Sequence, residues 1–99
     1  MMCDKKIYVT IDHIDDFCGY NHLMVNDVLS LKKDRKNIYD DEAIAAYDDN
    51  DKKCGYVANS IHSVARGSYS AGRLYDLMDD EKKCKVCFIL NGDVIAEIL

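Results

Sequence analysis

The sequence predicts a mostly β, β-rich α+β fold: a small antiparallel sheet of about six strands that curls or closes, with a short helical insertion. Three observations lead there. Apolar residues recur in short alternating runs, and clusters of Asp, Asn and Gly separate the runs. Proline is absent, so no run is barred from the centre of a sheet. So many short strands leave edges to hide, and closing the sheet on itself removes them.

Taken in order, Lys5–Ile14 alternates Ile7, Val9 and Ile11 against Tyr8, Thr10 and Asp12, a strand with one buried face. Asp15–His22 breaks the pattern around Gly19 and reads as a loop. Val28–Lys32 is a second strand carrying Val28, Leu29 and Leu31 into a basic run. Asp34–Glu42 is polar and irregular. Ala43–Tyr47 and Lys53–Ala58 form a hairpin across Asp49-Asn50-Asp51, residues that tolerate left-handed backbone. Ser60–Val64 has room for one helical turn, with Asn59 or Ser60 as its cap. After Gly67, Leu74, Leu77 and Met78 stand at helical spacing, which predicts a second short helix within 70–78. Lys82–Leu90 and Val94–Leu99 are apolar strands joined at Asn91-Gly92, a strong two-residue hairpin signal.

At 99 residues the chain is read as one domain, 1–99. Its 48% hydrophobic and 31% charged residues exclude a disordered chain. No apolar run approaches the ~20 residues of a membrane helix, and Met1–Lys5 lacks the apolar stretch of a secretion signal. The expected setting is therefore the cytoplasm. A formal charge of −5 works against wholesale binding to a polyanion. Lys32, Lys33, Arg35 and Lys36 nevertheless cluster, while Asp48, Asp49, Asp51 and Asp79, Asp80, Glu81 read as solvated tips and loops.

The five cysteines are an odd number without disulfide-framework spacing, which fits a reducing compartment. Cys84-Lys85-Val86-Cys87 has a C-x-x-C form but lies on a predicted strand, where residues three apart face opposite ways. No second ligand pair accompanies it, so no metal or other cofactor is expected, and Cys87 reads as a small buried hydrophobe. His13, His22 and His62 are scattered along the chain and are taken as exposed polar positions.

The distinctive stretch runs from Leu29 to Tyr47 through Asn37-Ile38-Tyr39-Asp40 and Ala43-Ile44, followed by Gly55-Tyr56-Val57. It resembles the HIRAN domain, whose members show a strand, charged residues, an Asn-Pro-Tyr-Asp run, an Ala-Ile strand and a Gly-Tyr-Val or Gly-His-Leu strand. The resemblance covers roughly Lys5 to Ser60, and the tail from Gly67 to Asp76 is similar to that of small free-standing bacterial relatives. It implies an OB-like barrel without catalysis that binds the 3′ end of single-stranded DNA, with a role in DNA repair. Carried over, Asn37 meets a base edge, Tyr39 stacks on the base and Asp40 accepts the terminal 3′-hydroxyl. Phe17 supplies a second aromatic face. The positions that carry phosphate-binding His and Lys in DNA-binding members fall near Tyr56 and Asn59, neither of which is cationic. Ile38 stands where the family has proline.

The residues taken alone leave plainer roles open: Asn37 and Asp40 suit a turn, Tyr39 can pack over a barrel end, and Tyr56 can line the sheet. Arg66 and Arg73 flank the helical insertion and offer phosphate contacts from another side. Three functions follow. One is a nucleic-acid end-binding module; another is a protein-interaction or regulatory domain that kept the barrel and lost the basic site. The third, a small hydrolase, rests only on Ser60, His62 and Ser63, without a nucleophile elbow or phosphate loop. No membrane partner is expected, and an edge strand such as Val94–Leu99 could pair with a second copy.

Overall fold

A computed structural model describes residues 6–60, 62–90 and 93–99. These form six strands, β1 (Tyr8–Asp12), β2 (Val28–Lys33), β3 (Ile44–Tyr47), β4 (Lys53–Val57), β5 (Glu81–Leu90) and β6 (Asp93–Ile98), with one short helix, α1 (Ala71–Tyr75). The strands close into an antiparallel barrel in the order β1-β4-β3-β2-β5-β6, with β6 returning to β1. The mostly β barrel predicted from the alternating runs is the observed fold. The hairpin residues Asn91-Gly92 lie outside the described residues, as does Lys5; the flanking strands pair Leu90 with Asp93.

β5 is long enough to serve two neighbours. Its first half pairs with β2, Leu29 facing Cys84, and its second half continues along β6 to Leu90. A bulge between Val86 and Phe88 skips Cys87 and breaks the alternation there. Cys84 shares the inward face with Val86 and is buried, whereas Cys87, on the other face, is only half-buried, contrary to the expectation for Cys87.

Val9, Ile11, Leu31, Ile44, Val86 and Val94 are fully buried and fill the interior. Ile14 and Leu23 from the loop after β1, and Ala71, Leu74 and Met78 from the helical segment, join the same cluster. Burying one such side chain is worth about 1.5–3 kcal/mol, so in a chain this small each of them matters.

Four local expectations change. The 15–22 stretch is not open loop but carries two single-turn 3-10 helices, Ile14–Asp16 and Tyr20–His22. Thr10 is buried rather than exposed, because the 65–69 segment crosses the outer face of β1. Its hydroxyl contacts that of Ser68 at 2.9 Å and accepts the Ala65 amide at 3.0 Å. The described residues of 60–64 make a turn instead of a helix, with the Ser63 and Val64 amides donating to the Ser60 carbonyl (Ile61 lies outside the described residues). The second helix forms but stops at Tyr75: Ser70 caps it through its hydroxyl, and Leu77 lies beyond it in a turn, exposed.

The shortest seam of the barrel is β1–β4, with two residue pairs, Ile11 with Val57 and Asp12 with Tyr56. Gly55 makes that approach possible. A Cβ at this position would land on the Asp12 carbonyl oxygen and come 3.1 Å from Ile11 Cγ2. Backbone cannot yield as a flexible side chain can. Gly55→Ala is expected to lower stability by about 1–3 kcal/mol, the range for overpacking a well-packed interior. Urea unfolding with an unchanged m-value checks this, and an unaltered midpoint would show that the seam is loose.

Candidate functional site

The 34–43 connection between β2 and β3 is organised by its own side chains. The Asp34 amide donates to the Ala43 carbonyl at 2.8 Å, closing the neck of the loop. Within it, Asn37 Oδ1 accepts the amides of Tyr39 (2.8 Å) and Asp40 (3.0 Å), and Asp40 Oδ1 accepts the Glu42 amide (2.9 Å). These side-chain turns do what a proline ring would do at Ile38, fixing the tip without it. Ile38 and Tyr39 are left 85% and 92% exposed.

Across the barrel wall, the Tyr56 hydroxyl accepts from Lys53 Nζ at 2.9 Å and donates to Asp34 Oδ2 at 3.1 Å. The phenol bond keeps the Lys53 ammonium protonated above the usual lysine range. Phe17 meets the Tyr56 ring edge-to-face, with centroids 5.8 Å apart, and Lys53 Nζ sits over both rings. Phe17 arrives there because His13, in left-handed backbone at φ 60°, turns the chain out of β1 and into the first 3-10 helix. Asn59 joins two elements. Its Nδ2 lies 3.5 Å from both Asp40 Oδ2 and Glu42 Oε1, and its Oδ1 accepts the Gly72 amide of α1 at 2.8 Å.

Asn37, Asp40, Tyr56 and Asn59 thus line one cleft of about 290 Å³, together with Asp12 and His13. Phe17 stands behind Tyr56, outside the cleft wall, and Tyr39 lies beyond its rim. Among the described residues Asp40 Oδ2 has only the long contact to Asn59, so it retains acceptor capacity. Among the described residues no lysine or arginine lines the cleft. Burial raises the Asp12 carboxyl above its ordinary value, with His13 opposing and Asp93 adding to the shift. A neighbouring groove bordered by Arg66 and Arg73 shares Asn59 with it. Arg73 lies 3.8 Å over the Tyr69 ring, and among the described residues neither arginine has a carboxylate partner within ion-pair distance.

The basic run is not an open patch. Lys32 pairs with Asp51 at 2.9 Å, Arg35 with Asp80, and Lys33 lies 4.2 Å over the Tyr75 ring. Ser60 and Ser63 spend their polar groups on the turn that holds them, Ser60 Oγ accepting the His62 amide and Ser63 Oγ donating to the Ser60 carbonyl.

Sequence spacing missed a second grouping. His22 Nε2 meets Asp48 Oδ2 at 2.6 Å, and Cys54 Sγ lies within 4.8 Å of both ligand atoms. Asp48 was expected at a solvated tip. It is buried because its Oδ1 accepts the Asn50 and Lys52 amides and so closes the β3–β4 hairpin from inside. Only a fold that lays the 3-10 turn on that hairpin brings His22 to it. The nearest signal in the sequence was Cys18 and His22 four residues apart.

The class that fold and site define is a small closed barrel with a polar cleft at one mouth. No family model and no curated relative matches the chain. Among solved structures it is similar to the HIRAN domain of human HLTF, with a TM-score of 0.67 at 19% identity, over 94% of this chain and 74% of that one. The chain has the HIRAN-domain fold. No helix among the described residues is long and apolar enough to cross a membrane.

The Lys53–Tyr56–Asp34 chain yields a direct test. Tyr56→Phe keeps the ring against Phe17 and removes one hydroxyl that both donates and accepts. It is expected to cost about 0.5–1.5 kcal/mol of stability in chemical denaturation, with the fold retained. A neutral result would show that the hydroxyl is solvated rather than shared.

Proposed function

We propose that the chain is a non-catalytic module that recognises the 3′ end of single-stranded DNA, in the cytoplasm. The observation that carries this reading is the convergence of Asn37, Asp40, Tyr56 and Asn59 on one cleft, with an acceptor oxygen of Asp40 turned to it. A cleft of about 290 Å³ is at the small end for a ligand site, suited to one terminal nucleotide rather than a run of bases. A free 3′-hydroxyl donates a hydrogen bond to Asp40, and an internal nucleotide has none to give. Asn37 and Asn59 offer amide groups to a base edge. Tyr39 on its exposed tip closes over the base, contributing ~1–3 kcal/mol of stacking.

Phosphate has no place against Asp12 and Asp40, so the strand leaves the cleft past Asn59 toward Arg66 and Arg73. Two phosphates neutralised there give a slope of log K against log salt of about −1.4, since single strands contribute about −0.7 each. Binding is modest and only mildly salt-dependent.

A second reading rests on a different observation. Tyr8, Phe88, Leu90 and Ile95 border an apolar groove of about 430 Å³ near the β5–β6 tip, with Phe88 59% exposed. An acidic cleft together with such a surface fits a barrel adapted to a protein partner.

Short labelled oligonucleotides with a free or a phosphate-blocked 3′ end separate the two. The end-binding account expects weaker binding when the end is blocked, and loss of that preference in Asp40→Ala. Tyr39→Ala is expected to weaken binding about 5- to 150-fold, the equivalent of that stacking energy, with an unchanged circular dichroism spectrum. Equal, feeble binding of both oligonucleotides transfers the assignment to the second reading.

A further inference from the structure

We propose that His22, Asp48 and Cys54 form a binding site for a borderline-soft divalent cation, zinc above all, separate from the polar cleft. Their three ligand atoms already lie within 4.8 Å of one another. His22 Nε2 and Asp48 Oδ2 are already neighbours, joined by a 2.6 Å hydrogen bond that a bound cation would replace. The donor set selects the ion: imidazole, carboxylate and thiolate together suit zinc, whereas calcium and magnesium take oxygen ligands.

The ligands come from two directions. His22 ends the 3-10 turn after β1, while Asp48 and Cys54 stand on either side of the β3–β4 hairpin. Asp48 and Cys54 are buried, and Asp48 is held by two backbone amides through the oxygen not facing His22, an outer shell that fixes its direction. His22 is partly exposed and borders a cavity of about 200 Å³ with Asp48, which gives an entering ion a path. Three protein ligands leave a fourth position for water or a neighbouring donor.

Binding breaks the Cys54 S–H bond and forms a metal–sulfur bond, the proton passing to solvent. His22 binds through the Nε2 lone pair and carries its proton on Nδ1, and Asp48 Oδ2 exchanges the imidazole proton for the metal. No oxidation occurs. The cation ties the segment that carries Phe17 to the start of β4, two residues before Tyr56, and so stiffens the aromatic wall behind the cleft.

The test uses the full chain, reduced and stripped with a chelator, titrated with Co(II) as a spectroscopic probe and then with Zn(II) against a chromogenic chelator. One equivalent of Co(II) is expected to give thiolate-to-metal charge-transfer absorption, and Zn(II) to displace it. Cys54→Ser removes that absorption. His22→Ala, with its circular dichroism spectrum checked against the wild type, weakens Zn(II) affinity at least tenfold. Cys87→Ser, on β5 outside the cluster, leaves both unchanged. Absence of the absorption in the wild-type chain, its survival in Cys54→Ser, or unaltered affinity in His22→Ala overturns the proposal.

Discussion

The contact on which the rest depends is the approach of Gly55 to the Asp12 carbonyl. A six-stranded barrel stays closed only if every seam holds, and the shortest seam here, β1–β4, has two residue pairs. Any side chain at 55 would push β1 away from β4. The consequence reaches the cleft directly, because Asp12 and Tyr56 are partners in that seam and both line it. The close contact that seals the barrel also sets one wall of the site.

The opposite wall is held differently, by local hydrogen bonds. Asn37 and Asp40 each spend one carboxamide or carboxylate oxygen on the loop's own amides. In the proposed reading the structural and binding roles share a residue without competing: Oδ1 of Asp40 fixes the turn, and Oδ2 is left with only a long contact to Asn59 among the described residues. Electrostatics then narrows what that ligand is. Carboxylates line the cleft, and the cations nearest it either serve the Tyr56 network, as Lys53 does, or border the next groove, as Arg66 and Arg73 do. A site of this kind reads hydroxyls and base edges better than phosphates.

Much of the barrel was legible in the sequence because strand alternation is a local signal. The β3–β4 hairpin, with Asp49-Asn50-Asp51 at its turn, emerges within a residue of its expected limits. Alternation failed where a third layer intervened: Thr10 reads as solvent-facing until the 65–69 segment covers it. It failed again at Phe88, which the bulge after Val86 leaves exposed although it follows Cys84 and Val86 at strand spacing. Of the six residues that the resemblance named, Asn37, Asp40, Tyr56 and Asn59 line one cleft, and Phe17 and Tyr39 are not among its lining. The His22–Asp48–Cys54 grouping was not legible, since its members are separated by long stretches of sequence and only closure of the fold makes them neighbours.

The central claim, that the mouth formed by the 37–40 loop and β4 receives a strand end, is tested most directly by amide chemical-shift mapping. The ¹⁵N-labelled chain is titrated with a short oligodeoxynucleotide carrying a free 3′-hydroxyl. The account expects the shifts to concentrate at Asn37, Tyr39, Asp40, Tyr56 and Asn59, trailing off toward Arg66 and Arg73. Shifts confined to Phe88 and Leu90 at the β5–β6 tip, or none at saturating oligonucleotide, would contradict it.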